Sequence, residues 1–432
     1  MKTLLLTLLL ITATAAQAIE LSLEQCRQMA LQTSEMMQIA RNKVQQAKYD
    51  RNVARSAYFP KIDGSATGFY LTPNSKVGDA MELQMKGLYL AGFSLTQPIF
   101  AGGKIIAANK LAAVGREAAR QQLELATMDV LADAEKAYWS YVAVCAKIDM
   151  LDSYITQLDS ILSYTLTAYE LGLTTDLNVS RVQARAADLK YKRQQALTGR
   201  DLCRMALCNA IGVDQDTPVD ATQTLDDTEA TDTTYDGIEG RPELQLANLN
   251  ITAKKHEAQM TLADYLPTIG LQLGWNAFGN LKMKNHTPLP DGSIYTFTQS
   301  MDYRHFMGAI SLSVPIFHWG EGYNKVKRAK LEVQNATLEL EHNRKLMDLQ
   351  ARQAYDNYLD GFQLIESSEA ALKEARRNLE AMQQQYRAGL MTLTDLLEAQ
   401  SQWQSSFSNV IEAKTQLKIN RVDYLRATGR LR

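Results

Sequence analysis

Residues 98 to 212 and 315 to 429 align without a gap at a constant offset of 217. Pro98-Ile99-Phe100 returns as Pro315-Ile316-Phe317, Ala137-Tyr138 as Ala354-Tyr355, Tyr169 as Tyr386, Gly172-Leu173 as Gly389-Leu390 and Gly212 as Gly429. Upstream the offset is 207, where Tyr58-Phe59-Pro60 returns as Tyr265-Leu266-Pro267. The difference of ten lies between the two prolines of each half, so one connecting loop is longer in the second copy. A repeat this long is one architectural unit used twice, and its period is too long for a solenoid. The sequence therefore predicts two pseudo-equivalent halves, residues 19–212 and 241–432, around a segment at 213–240.

Each half reads as helix, strand, strand, very long helix, helix. Ser22-Leu23-Glu24-Gln25 has the form of a capping box, and helical patterning runs from there to about Phe59, where Pro60 stops it. Strands are expected at about 61–71, 87–97, 268–278 and 305–314. The second pair alternates most clearly: Ile269, Leu271, Leu273 and Trp275 on one side, Gly270, Gln272, Gly274 and Asn276 on the other. Runs of about ten residues match a tilted strand crossing a bilayer. Tyr70, Tyr89, Trp275, Phe278 and Phe306 stand where interfacial aromatics would. A soluble hairpin with one face on a core alternates in the same way.

Residues 104–171 and 321–388 contain no proline and few glycines. Each predicts a helix of about 100 Å at 1.5 Å per residue. Val326, Ala329, Val333, Ala336 and Leu340, then Leu372, Ala375, Leu379, Met382 and Tyr386, make an apolar stripe in steps of three and four that asks for a helical partner. Each long helix ends at a glycine turn, followed by a return helix about half as long. The shorter N-terminal helix of each half has the length to stack end to end with the return helix alongside the long one.

Residues 1–18 have the three parts of a secretory signal peptide: Lys2, the apolar run Leu4 to Ile11, and the Ala16-Gln17-Ala18 cleavage site. The mature chain is expected to start at Ile19. With no cysteine at the cleavage point, no lipid anchor is expected. A net charge of -2 gives no reason to expect nucleic acid. Cys26, Cys145, Cys203 and Cys208 are too few for a disulfide framework and read as small buried thiols. The segment 213–240 carries nine carboxylates and, apart from them, neither lysine nor arginine, which reads as a linker or solvated belt. His256, His286, His305, His318 and His342 lack ligand spacing, and there is no phosphate loop or nucleophile motif, so an enzyme and a cofactor are not expected. Met81, Met85, Met283, Met301, Met307, His286 and His305 lie in or near the strand connections, the one place for a metal-directed variation. One chain supplies about four bilayer-length strands, whereas a closed barrel needs about eight or more and an open edge cannot face lipid. If the strands span a membrane, several chains pool them.

The chain resembles the TolC-type family of trimeric outer-membrane efflux channels over essentially its whole mature length. The resemblance rests on the duplicated order, on Gln97-Pro98-Ile99-Phe100-Ala101-Gly102-Gly103 and Val314-Pro315-Ile316-Phe317-His318-Trp319-Gly320, and on Tyr386-Arg387-Ala388-Gly389-Leu390 followed by Thr392, Asp395 and Leu396. It implies a mainly α protein with a transmembrane β-barrel portion: a homotrimer with a twelve-stranded barrel and a periplasmic α-helical tunnel. It also implies a place in the outer membrane of a Gram-negative bacterium, and work with a periplasmic adaptor (membrane fusion) protein and an inner-membrane pump. By position, Asp395 and Glu398 match pore-lining carboxylates, and Tyr386 matches a tyrosine that assists the closed tip. Met391 stands where relatives carry a base, and Asn178 where an acid is common. Gly172, Leu173 and Thr174, with Gly389, Leu390, Met391 and Thr392, are the turns expected to meet the adaptor. The same turns serve equally as plain helical-hairpin closures, and Thr392 with Asp395 as a capping box. The alternative class is a soluble periplasmic coiled-coil scaffold or adaptor, which accounts for the heptads but not for four alternating segments.

Overall fold

The computed structural model describes residues 19–72, 74–78, 80–226 and 234–432. The expected signal peptide lies outside the described residues. The elements in order are β1 (Ile19–Leu21), α1 (Leu23–Thr33), α2 (Glu35–Ser56), β2 (Lys61–Tyr70), β3 (Ser75–Val77), β4 (Met81–Gln84), β5 (Lys86–Ala101), α3 (Lys104–Glu170), α4 (Asp176–Ile211), β6 (Val219–Ala221), α5 (Pro242–Ala263), β7 (Thr268–Pro288), β8 (Ile294–Ser313), α6 (Glu321–Arg387) and α7 (Leu393–Ala427). The described residues form two compact units, one within 19–43, 120–226, 234–246 and 340–432, the other within 44–72, 74–78, 80–119 and 247–339.

The first unit is helical. Tyr138, Tyr154 and Leu158 of α3, Leu189 and Leu207 of α4, Leu379 of α6, and Leu396 and Trp403 of α7 share one buried cluster. The stripe expected along α6 joins it: Ala375 and Leu379 are buried, and Leu372, Met382 and Tyr386 pack against it. Tyr138 donates its hydroxyl to the Leu21 carbonyl (3.2 Å) and Tyr141 to the Val219 carbonyl (2.6 Å). These two bonds hold a pair too short to be legible in sequence, β1 parallel to β6. Tyr424 of α7, which has no tyrosine at its equivalent Leu207, donates to the Thr234 carbonyl (3.0 Å).

The return helices close on the N-terminal helices through two equivalent glycines. Gly212 (φ 69°) and Gly429 (φ 76°) both follow the last turn in left-handed backbone. The next residue, Val213 or Arg430, donates back to the carbonyl of Cys208 or Leu425, a Schellman closure in each copy. Gly212 lies against Thr33 at the end of α1, and Gly429 against Gly240 and Arg241 at the start of α5. This is the end-to-end meeting of the short helices.

Three differences from the sequence reading have physical causes. The first helix is not continuous to Phe59. The Ser22–Gln25 capping box opens α1, but the chain leaves helical geometry at Ser34 (ψ 127°) before α2 begins. Residues 213–240 are not a free linker where described. Lys414 bridges Asp226 and Glu369 (2.6 Å each), Arg344 pairs with Glu239, Arg430 with Asp236, and Tyr235 donates to Asp348 (2.7 Å). The cations come from the helices, so the segment's own composition could not reveal them. Residues 227–233 lie outside the description. Finally, three strands outrun their expected bounds: β5 covers 16 residues against 87–97, and both strands of the second copy are longer still.

The second unit contains an antiparallel sheet in the order β2-β5-β7-β8, with β4 extending β5 alongside β7 and β3 paired to β4. β7 and β8 cover 21 and 20 residues, against the eleven and ten expected at 268–278 and 305–314. Beyond Phe278 a bulge interrupts the register, and Lys282, Lys284, Asn285, Gln299 and Asp302 replace the apolar alternation. The backbone ladder therefore continues after the sequence signal for it has stopped.

Opposed residues in a ladder point to the same side. Following the register gives one mainly apolar face: Ile62, Ala66, Tyr89, Ala91, Phe93, Leu95, Ile269, Leu271, Leu273, Trp275, Phe306, Ile310 and Leu312, with Gln97 and Arg304 also on it. Phe93 stacks on Trp275 with centroids 5.8 Å apart. The other face carries Asp63, Ser65, Thr67, Ser94, Thr96, Gln272, Asn276, Ser311 and Ser313, and further along Phe69, Leu88, Leu90, Phe278 and Met307. Ile62, Phe306, Ile310 and Leu312 are 65–74% exposed, so this wall has no apolar cover of its own. Among the described residues no helix is long and apolar enough to cross a membrane.

Burial also fixes thiol chemistry. Cys26 is buried, its thiol pushed up to about 12 by desolvation and the nearby Glu135 carboxylate. We expect it to resist maleimide at pH 8 in the folded protein and to react after denaturation; labelling followed by mass spectrometry checks this.

Candidate functional site

The two helix-hairpin turns are built alike. α3 ends at Glu170, Gly172 (φ 75°) donates to the Tyr169 carbonyl (2.9 Å) and Leu173 to that of Ala168 (2.8 Å). α6 ends at Arg387, Gly389 (φ 75°) donates to Tyr386 (3.0 Å) and Leu390 to Gln385 (2.9 Å). The residue after the glycine in such a closure usually packs back on its own helix. Here Leu173 and Leu390 are 77% and 75% exposed. Thr174 and Met391 are half-buried and Thr392 is exposed.

The helix starts differ between copies. Thr392 and Asp395 form a full capping box on α7: the Thr392 amide donates to Asp395 (3.2 Å) and the Asp395 amide to the Thr392 hydroxyl (3.3 Å). On α4, Thr175 makes no side-chain cap, and Asn178 instead donates to the Thr174 hydroxyl (2.9 Å). Asp395 is thus fixed at the start of its helix and half-buried, and Glu398 is exposed close by on α7.

Tyr386 is engaged within the chain. Its ring meets Tyr164 of α3 edge-on (5.7 Å between centroids), and its hydroxyl lies 3.3 Å from that of the buried Thr165. Tyr164 donates to the Arg387 carbonyl (3.5 Å). Tyr164, Tyr386 and Arg387 line a cavity of about 260 Å³ with Gln157, Gln383 and Leu396. Sequence reading missed Tyr164 and Thr165 because their partners are more than two hundred residues away. It also missed Arg181 of α4, whose guanidinium donates to the Thr394 hydroxyl (3.1 Å), one residue before Asp395. No basic residue follows Gly389 at Met391, but the fold brings a guanidinium to the same end of α7 from the other copy.

In the sheet unit, β2 and β8 are both edges of the ladder. Several of the methionines and histidines noted in the connections lie in its ladders. Leu83 opposes Met283, Leu281 opposes Met301, and the His286 ring lies 3.1 Å from the Thr296 hydroxyl. Among the described residues no three His, Cys, Asp or Glu side chains gather as metal ligands.

The family described as Outer membrane efflux protein matches residues 26–213 and 235–430, one match on each half of the duplication. The chain belongs to that family. The family member is 23% identical over 388 residues to Protein CyaE of Bordetella pertussis, covering 88% of this chain and 78% of CyaE. It is 27% identical over 191 residues to the alkaline protease secretion protein AprF of Pseudomonas aeruginosa, covering 44% of this chain and 36% of AprF. Its fold matches the crystal structure of the Campylobacter jejuni CmeC outer membrane channel with a TM-score of 0.77 at 19% identity, over 94% of this chain and 85% of that one. This outer membrane efflux protein therefore has the TolC-like channel fold and is an outer-membrane efflux or secretion channel, located in the Gram-negative outer membrane.

Proposed function

We propose that this chain is the passive conduit of a tripartite system. It acts as a homotrimer, with a periplasmic adaptor at its helical turns and an inner-membrane pump that chooses the cargo. The observation that carries the reading is a four-strand wall with one bare apolar face and two free edges. Open edges and an apolar face are tolerated together only if the ladder is closed by further copies in lipid. Three copies of four long strands give twelve. Exposed Leu331, Leu338, Leu346, Leu349 and Leu364 along α6 supply apolar surface for neighbouring helices. Export of proteins is included because AprF is named for protease secretion.

Asp395 and Glu398 serve as two rings of negative charge near the turn end of the duct, and Tyr386 and Arg181 hold the return helices in the closed arrangement. Three carboxylates per ring favour cations. Asp395→Asn with Glu398→Gln removes the charge but leaves an acceptor for the Thr392 cap. In planar bilayers the variant is expected to lose cation preference, with the K⁺/Cl⁻ permeability ratio falling at least about threefold. An unchanged ratio takes these two residues out of the pore.

A further inference from the structure

Beyond the bulge that follows Phe278 the sheet sorts its charges to one side. Lys76 opposes Glu82, Glu82 opposes Lys284 and Lys284 opposes Thr298, so these four share one face across β3, β4, β7 and β8. Lys282, two residues from Lys284 and opposite Gln84 and Ser300, lies on the same face. Among the paired residues of these strands beyond the bulge, every lysine and the one carboxylate are on that face. The other face carries Met81, Leu83, Leu281, Met283, Phe297 and Met301, and no charge.

β8 fixes which side this is. The extra residue of the bulge belongs to β7, because the three steps from Phe278 to Leu281 face two from Tyr303 to Met301. β8 therefore alternates unbroken, and Phe306, Arg304, Asp302, Ser300 and Thr298 share a face. A Cβ on Gly279 would fall on both the Asp302 Oδ1 and the Tyr89 hydroxyl, which sets Asp302 beside a member of the apolar face. The basic residues thus continue the side that carries Phe93, Trp275 and Phe306, starting at the rung where Tyr89 opposes Gly279. The helices adjoin the sheet at its other end, where α3 follows β5 and α5 precedes β7.

We propose that this strip, Arg304, Lys282, Lys284 and Lys76, binds the phosphorylated saccharide headgroup of the outer-leaflet glycolipid of a Gram-negative outer membrane. It rests on the reading of the apolar face as the lipid-facing wall and adds the headgroup met beyond it. In a membrane barrel an apolar band faces the acyl chains and aromatic side chains mark its edge. Tyr89 stands at that edge. Lys284 lies five residues past Gly279, about 17 Å along the strand, or about 12 Å in height at a tilt near 45°. That is headgroup depth, on the side away from the helices. Lys76, Lys282 and Arg304 are exposed and Lys284 is half-buried. Phosphate oxygens accept charge-assisted hydrogen bonds from ammonium and guanidinium groups, and the exposed Thr298 and Ser300 add hydroxyls for a sugar. Both carboxylates on this face are already engaged: Asp302 accepts the Asn280 amide (2.9 Å), and Glu82 accepts from Asn74. The Asn74 bond holds Glu82 below the usual carboxylate range, and Lys284, His286 and Lys76 act in the same direction. Four cations against two carboxylates leave the face positive.

The test is binding of lipopolysaccharide to the full-length protein in phosphatidylcholine nanodiscs. The triple variant Lys282→Gln, Lys284→Gln, Arg304→Gln is expected to bind at least about tenfold more weakly than wild type. Dephosphorylated lipopolysaccharide is expected to show the same loss with the unchanged protein. A matched triple at the helix end of the sheet unit, Lys48→Gln, Lys61→Gln, Lys110→Gln, is expected to bind as wild type does. Unchanged affinity in the first triple overturns the proposal. So does an equal loss in the matched triple, which would make net charge the cause, or equal binding of phosphatidylglycerol, which would make any anionic lipid the ligand. Conductance in planar bilayers is read on the same preparations. A channel that conducts normally with glycolipid binding unaltered removes the headgroup site alone. A protein that forms no channel and stays soluble without detergent removes the lipid-facing wall itself.

Discussion

Gly429→Ala is expected to lower the stability of the helical unit by about 2–5 kcal/mol. The positive φ alone costs a residue with a Cβ roughly 1–2 kcal/mol, and overpacking adds about 1–3 kcal/mol. A Cβ at 429 would overlap the Gly240 carbonyl and stand 2.7 Å from the Arg241 nitrogen. Both obstacles are backbone, at the junction of α7 with α5, and neither can rotate away. The other positions in the same closure give a ranking. At Gly212 the new Cβ would meet the side chain of Thr33 (2.5 Å to its Cβ), which can shift at the cost of its bond to the Ile211 carbonyl (2.6 Å). At Gly389 it meets nothing within 4 Å, so only the backbone term of about 1–2 kcal/mol remains. Midpoints of thermal or urea unfolding followed by circular dichroism should fall in the order Gly389→Ala, Gly212→Ala, Gly429→Ala. Equal losses at 389 and 429 would show that the repeat junction is not the tight contact described.

The second large effect is on function alone. Leu173→Glu with Leu390→Glu is expected to abolish export, with at least about a tenfold loss of resistance or secreted cargo, while trimer yield and single-channel conductance stay at wild-type level. Both leucines are exposed in the chain, so their removal forfeits no internal packing. An exposed apolar anchor removed from an interface costs most where it is the buried centre of that interface. The Schellman amides that close each turn are backbone groups and survive the change. Retained export would mean that the turns do nothing beyond reversing the chain. Loss of trimer along with export would place the leucines in assembly rather than docking.

Much of the fold was legible because the duplication let each half check the other. The glycine turns, the Ser22 and Thr392 capping boxes, the alternation around Trp275 and the α6 stripe are all local patterns, and local patterns survive in sequence. What could not be read was set by tertiary partners. The length of β7 past Phe278 depends on a ladder with β8 and β4, not on its own apolar period. The ion pairs of Asp226, Asp236 and Glu239 are with Lys414, Arg430 and Arg344, far along the chain. The break at Ser34 carries no proline or glycine to announce it. Near the turns, the family resemblance singled out Tyr386 and Asp395 by position, yet the groups that touch or flank them, Tyr164, Thr165 and Arg181, come from distant parts of the chain and carry no local signal.

Light-scattering mass of the detergent-purified protein, corrected for bound detergent and run with and without heating, is the most direct test. Three chains in each unheated particle, falling to one on boiling, is the expected result. A particle of one chain that remains soluble once detergent is withdrawn would contradict the closed wall on which the channel depends.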